Sequence, residues 1–257
     1  MLNCTVTTDM HLASDLATAR PGEDLLAVFQ PQIDLASGSI VAAEVLCRWR
    51  HPRIGFVPPD VFIPLSEETG AIELIGELML DEALDLISTW RRQNVPIQAA
   101  VNVSPLQLTT HAFVDGLQER LELLGTPPHA LTVEITESQP IDELGIVIGE
   151  LERLRSLGIE VALDDFGTGH ASTSQLERLP ISEVKLDKSL IQSHSPAAVR
   201  GLSAAVKLAR ERGLRVVAEG IETGSHLRRA MELGCDRVQG YLLGRPLRRA
   251  SFDALLA

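Results

Sequence analysis

From Leu25 onward, short runs of apolar and β-branched residues alternate with longer segments whose apolar positions recur at helical spacing. The short runs are Leu25–Ile33, Ile40–Trp49, Ile97–Val103, Leu131–Ile135, Glu160–Phe166, Glu183–Leu186, Arg215–Ala218 and Arg237–Leu243. Eight strands is the number that closes a barrel. Between the runs, Ala71–Arg92 sets Leu74, Leu78, Ala83 and Leu86 close to the 3.6 period, and Ala197–Arg212 is stopped by Gly213. Leu124-Gly125, Leu157-Gly158 and Leu233-Gly234 each fall shortly before a strand. Ahead of the array, Met10, Leu12, Leu16 and Ala19 lie at mixed helical spacing before Pro21-Gly22, which predicts a short lead-in helix ended by those breakers.

The first two runs break the rhythm. Only the stretch Asp34 to Ser39, with Gly38 inside it, separates them, enough for a hairpin but too short for a crossover helix. One strand must then run antiparallel, giving an α/β fold that is a modified (β/α)8 barrel of the TIM type. No internal Pro/Gly/Ser-rich linker interrupts it, so the expected division is a lead-in over residues 1–22 and one barrel over residues 23–257.

Composition narrows the partners. The 257 residues are 45% hydrophobic and 23% charged, ample for a core. Lys+Arg of 23 against Asp+Glu of 35 gives −12, which disfavours attachment to nucleic acid polymers or anionic lipid. An anionic substrate then needs a metal or local cations. Cys4, Cys47 and Cys235 are too few and too scattered for a disulfide framework or a zinc site, as in a reduced cytoplasmic protein. Met1 to Arg20 carries Asp9 and Asp15 and lacks a basic n-region and an apolar h-region, so no secretory signal is expected there. No run of 18 uncharged apolar residues predicts a membrane span.

In such barrels chemistry sits at the carboxyl ends of the strands. Those ends are acidic: Glu44 in the second run, Asn102 ending the third, Glu134 on the fourth with Glu137 after it, and Asp164-Asp165 closing the fifth. Lys185 lies on the sixth, Glu219 and Glu222 on or after the seventh, and Gln239 on the eighth. One such carboxylate alone would be a solvated residue or a helix cap. Seven consecutive strands delivering polar groups is a different observation. If Glu44, Glu134, Asp164, Asp165 and Glu219 converge on one mouth with only Lys185 opposing them, carboxylates ~4 Å apart repel by about 4 kcal/mol per pair at an effective dielectric constant of ~20, and cations must offset that. The donors are all oxygens, which points to Mg²⁺ or Mn²⁺. Adjacent Asp164 and Asp165 can serve two ions at once, and two ions ~3.5–4 Å apart are the usual device for phosphoester hydrolysis. Gly167 and Gly169 allow a tight loop after them.

With these residues assembled, the chain resembles the EAL family of cyclic di-GMP phosphodiesterases from about Leu25 to Leu256. The matching stretches are Phe29-Gln30-Pro31, Glu44-Val45-Leu46-Cys47-Arg48-Trp49, Asn102-Val103-Ser104, Val133-Glu134-Ile135-Thr136-Glu137-Ser138 and Asp164-Asp165-Phe166-Gly167-Thr168-Gly169. They continue with Leu179-Pro180, Lys185-Leu186-Asp187, Ala218-Glu219-Gly220-Ile221-Glu222-Thr223 and Gln239-Gly240-Tyr241-Leu242. The family fold, a (β/α)8 barrel with an antiparallel strand, agrees with the hairpin argument. Two departures stand out: Val45 replaces the signature's middle Ala, and His170 stands where an aromatic residue is usual.

The resemblance implies hydrolysis of cyclic di-GMP to linear 5′-pGpG with two ions per site. Glu44, Asn102, Glu134 and Asp164 would hold the first ion, and Asp164 with Asp165 the second. Lys185 would hold the attacking water, and Glu219 would act either as a metal-linked carboxylate or as a general base. Glu137 would anchor the loop containing Asp165, with Glu222 and Gln239 as supporting groups. Gln30, Arg48, Asp187 and Gln239 match substrate-side positions, Arg48 offering a fork suited to phosphate. A homodimer is also implied. The alternative is a cyclic di-GMP receptor that binds without cutting, although no metal-binding position has been lost here. An enolase-type barrel with Lys185 as base would need a capping domain, for which the roughly 24 residues before the first strand are too few.

Overall fold

The computed structural model describes residues 11–136, 145–167, 173–193 and 195–256. Strand β1 (Leu25–Asp34) turns back into β2 (Ile40–His51) through a hairpin in which Asp34 Oδ1 accepts from the Ser37 amide and hydroxyl, both at 2.7 Å. Gly38 takes φ +69 there, the left-handed conformation that the turn requires. A short β3 (Gly55–Val57) folds back on β2. The parallel strands follow: β4 (Gln98–Asn102), β5 (Leu131–Thr136), β6 (Glu160–Phe166), β7 (Glu183–Leu186), β8 (Arg215–Ala218) and β9 (Arg237–Val238).

The sheet order is β1-β9-β8-β7-β6-β5-β4-β2, with β3 outside β2, and pairing of β1 with β2 closes it into an eight-stranded barrel. Strand β1 is antiparallel to both β2 and β9, and the remaining barrel pairs are parallel. The short first gap therefore has the predicted consequence. Two expectations need correction. β3 was not foreseen, and three residues are too few to show a period. The last strand ends at Val238 instead of Leu243, because Gly240 lies so close to Ile221 that the chain turns there, Leu243 and Gly244 both donating to its carbonyl.

Helices fill the connections: α1 over residues 11–17, α2 (Pro59–Thr69), α3 (Ile72–Arg92), α4 (Ala112–Leu124), α5 (Gly145–Ser156) and α6 (Thr173–Arg178). They continue with α7 (Lys188–Gln192), α8 (Pro196–Glu211), α9 (Gly224–Leu233) and α10 (Arg249–Leu256). Buried faces such as Ile75, Met79, Leu86 and Trp90 of α3 join one core with the strands, and Leu12 and Leu16 of α1 belong to it too. Inside the barrel, the small buried residues Ala42, Ala100 and Ala162 lie two positions below Glu44, Asn102 and Asp164. The opposite end carries an ion pair and a hydrogen bond: Glu183 accepts from Arg215 at 2.8 Å and Arg237 donates to Gln98 at 2.6 Å. Among the described residues no helix is long and apolar enough to cross a membrane.

Candidate active site

Strand pleating aims alternate residues into the barrel, and the register brings the polar ones to one rim. Glu44 on β2 pairs with Gln30 on β1, Asn102 on β4 with Glu134 on β5, and Thr136 on β5 with Asp164 on β6. Lys185 comes from β7, while Glu219 and Gln239 directly follow β8 and β9. The Lys185 side chain is fully buried, with Nζ 2.8 Å from Glu134 Oε2, 3.0 Å from Glu219 Oε1, 3.1 Å from Asp164 Oδ2 and 3.5 Å from Glu44 Oε2. Amides fix Glu44 from two sides. Asn102 Nδ2 donates to its Oε1 at 2.9 Å, and Gln239 Nε2 donates to its Oε2 at 2.5 Å and to Gln30 Oε1 at 3.2 Å.

A regular strand would send Asp164 and Asp165 to opposite faces. Here the pairing of β6 with β7 slips between Leu163 and Phe166, a bulge that re-aims the side chains. Asp165 takes φ 56, uncommon outside glycine, and its N–H donates to Asp164 Oδ1 at 2.8 Å. As a result, carboxylate oxygens of Glu44, Glu134 and Asp164 fall within 4.8 Å of one another, and so do those of Asp164, Asp165 and Glu219. Asp164 belongs to both groups.

Burial and mutual repulsion shape the charges. Burial drives the Glu134 carboxyl well above its ordinary range even with Lys185 beside it, and raises Asp164 for the same reason. Burial also lifts Glu219 to about 8, and burial with the Asp164 charge lifts Asp165 to about 6. Glu44 goes the other way: burial opposes its charge, but Lys185 and the amides of Gln239 and Asn102 outweigh it. Burial likewise works against the Lys185 ammonium, yet Asp164, Glu134, Glu219 and Glu44 hold it charged well beyond the usual lysine value.

The site fits a pair of divalent cations. One ammonium cannot neutralise five carboxylates, and Glu134 Oε1 is buried with no hydrogen-bond partner among the described residues. Such an orphaned acceptor calls for a further positive group. The donors are all oxygen, as Mg²⁺ and Mn²⁺ prefer.

A cavity of about 430 Å³ opens beside the carboxylates, lined by Glu44, Asn102, Asp164 and Asp165 and by Arg48. Arg48 is partly buried, with Nη1 donating to the Cys47 carbonyl at 2.8 Å. Gln30 is buried under the rim and donates to the Gly244 carbonyl at 3.2 Å. Asp187 is also buried, but its Oδ1 caps α7 by accepting from the Ser189 amide at 2.8 Å. Glu222 is exposed and belongs to neither carboxylate group. Glu137 and His170 lie outside the described residues. The cavity wall also includes Asp60, Ile63, Pro64 and Glu67 from α2, none of which the site reading singled out, and Ser104 Oγ donates to Glu67 Oε1 at 2.6 Å. Their signal is Pro58-Pro59 before, and Gly70 after, a helix-length segment. A larger groove of about 770 Å³, between α3 and α4, contains none of these groups.

The model of the EAL domain matches residues 13–246. The chain is 36% identical over 249 residues to the bifunctional diguanylate cyclase/cyclic di-GMP phosphodiesterase MucR of Pseudomonas aeruginosa, covering 96% of this chain and 36% of MucR. It is 32% identical over 246 residues to the cyclic di-GMP phosphodiesterase RocR of the same organism, covering 95% of this chain and 63% of RocR. The chain thus spans only part of the length of these curated relatives. Among solved structures, the PaMucR phosphodiesterase in its c-di-GMP complex superposes with a TM-score of 0.85 at 36% identity, covering 94% of this chain and 99% of that one. The EAL domain of Mycobacterium smegmatis DcpA gives 0.76 at 33%, covering 90% and 97%. Barrel, rim and sequence lead to one assignment: the chain belongs to the EAL domain family.

Proposed function

We propose that this chain hydrolyses one phosphodiester bond of cyclic di-GMP to give linear 5′-pGpG, using two divalent cations, Mg²⁺ or Mn²⁺. The observation that carries this reading is the pair of carboxylate groups sharing Asp164 around Lys185, next to a cavity that presents Arg48. Glu44, Asn102, Glu134 and Asp164 would hold one ion, and Asp164, Asp165 and Glu219 the other. When bound, such ions lower the pKa of a water and stabilise the attacking and leaving oxygens of an in-line displacement. Water adds to phosphorus, the bond to the 3′ oxygen breaks, and that oxygen takes up a proton.

The chain's own groups do the positioning. The Lys185 ammonium, held charged by its neighbours, cannot act as a base and instead donates hydrogen bonds to the water or a phosphoryl oxygen. Glu219 sits within the Asp164–Asp165 group, which favours a ligand role over that of a separate base. Arg48 supplies a planar fork for the phosphate or a guanine edge, and Gln30 and Gln239 keep Glu44 oriented. Cytoplasmic location and a homodimer complete the reading on family resemblance alone. A fully active monomer in sedimentation removes the dimer.

The deciding assay is chromatography of cyclic di-GMP incubated with the purified chain and MnCl2, with and without chelator. Product is expected only with the cation, and Glu44→Ala is expected to lower turnover by at least about 10²-fold, since it deletes an ion ligand. Equal turnover by variant and parent would refute the assignment. Calorimetric binding of the nucleotide with no pGpG formed would point to a receptor instead.

A further inference from the structure

Helix α7 has five residues, too few to be stable alone, so its neighbours determine where it sits. The Asp187 amide donates to the Phe166 carbonyl at 3.2 Å, directly beyond the bulge that carries Asp164 and Asp165. Leu190 lies over Gly167, where a Cβ would come within 2.1 Å of Leu190 Cδ1. On its other side the helix meets the loop after β8. Gly220, next to Glu219, has φ +62, and a Cβ on it would fall 2.2 Å from Lys188 Cβ. The Gly220 carbonyl accepts from Gln192 Nε2 at 2.9 Å. Arg229 of α9 secures the far end, with Nη1 donating to the carbonyls of Ile191 and Ser193. One short helix and its cap residue therefore meet the segment beside Asp165 and the loop beside Glu219, which extend from strands that β7 keeps apart.

We propose that α7 is a strut that sets the separation of Asp165 and Glu219, with Gln192 and Leu190 as positioning residues. The inference rests on the reading of these two carboxylates as ligands of the second cation. Gln192 binds a main-chain oxygen, so removing its amide changes geometry without changing the charge of the rim.

Two variants test it. Gln192→Met keeps side-chain length and loses the donor, and Leu190→Ala opens space over Gly167. The metal-free parent and both variants are titrated calorimetrically with MnCl2, and their kcat and KM for cyclic di-GMP are measured. Hydrogen exchange over residues 217–222 of the metal-free proteins is the readout independent of activity. Each variant is expected to weaken one of the two Mn²⁺ affinities about tenfold and to lower kcat with KM unchanged. Gln192→Met is expected to speed exchange at residues 217–222. An isotherm and an exchange rate matching the parent's would overturn the proposal, and so would equal weakening of both affinities together with KM. If the parent itself neither binds Mn²⁺ nor cleaves the nucleotide, the functional reading fails. The exchange comparison then still decides the strut: faster exchange supports it and unchanged exchange removes it.

Discussion

Glu219 and Asp165 have ordinary values of 4.5 and 3.8, and burial raises them to about 8 and about 6. Each therefore contributes stability that is complete below its ordinary value and is lost as the pH climbs through the raised one. For Glu219 that window runs from pH 4.5 to about 8, and for Asp165 from 3.8 to about 6. Lys185 stays protonated and Glu44 ionised in its upper part, so neither offsets the loss. Divalent cations bind the ionised carboxylates, and their affinity rises as protons leave. The gain in Tm from saturating MnCl2 is accordingly expected to be larger at pH 8 than at pH 6. Differential scanning fluorimetry at both values checks this, and an equal gain would remove Asp165 and Glu219 as ligands. At this scale the sequence pointed to Glu44, Asn102, Glu134, Asp164 and Lys185 as polar residues on or at the end of otherwise apolar strands, and the structure brings them to one rim. It did not separate Asp187, whose carboxylate caps a helix, or Glu222, which faces solvent, since both sit in the same kind of loop.

Between elements, the close approach of two loops holds the rim together. Gly240 follows Gln239, and a Cβ on it would meet backbone atoms of Ile221 at 2.2, 2.4 and 2.7 Å. Backbone cannot rotate aside as a side chain can. Gly240→Ala is thus expected to lower stability by about 1–3 kcal/mol, the range for overpacking, and to disturb the Gln239 contact with Glu44. Urea unfolding measures the first effect, and an unchanged midpoint would show that the loops part freely. The antiparallel β1 was legible because a gap of six residues, Asp34 to Ser39, cannot hold the crossover that a parallel pair needs. The β6 bulge was not: Leu163, Asp164 and Asp165 read as an ordinary strand end, and the slip depends on pairing with β7. Long-range register of this kind leaves no local pattern. The same holds for α2, a helix the sequence reading did not single out: its proline and glycine boundaries carry no sign that it walls the cavity.

Across the whole molecule, the lead-in helix is bound to the strand that carries the first rim carboxylate. Leu12 and Leu16 of α1 are buried in the barrel's own core. Asp15 accepts from His51 Nε2 at 2.9 Å and from Arg53 at 2.5 Å. His51 is itself buried, its Nδ1 accepting from the Arg53 amide at 3.1 Å, so the ring is held in one orientation at the end of β2. The sequence showed the helix but not this attachment, because neither Asp15 nor His51 has a periodic partner. Packing makes α1 part of the barrel's stability, while none of its residues belongs to the carboxylate groups or lines the cavity beside them. Leu16→Ala is therefore expected to cost about 2–5 kcal/mol. At about 2–4 °C per kcal/mol for a domain of this size, Tm should fall by roughly 4–20 °C. Turnover at a temperature well below the new Tm, with saturating MnCl2, should match the parent's, since no rim contact involves Leu16. An unchanged Tm would mean that the helix only rests on the surface; a large loss of turnover in a folded variant would mean that α1 sets the position of Glu44 through β2.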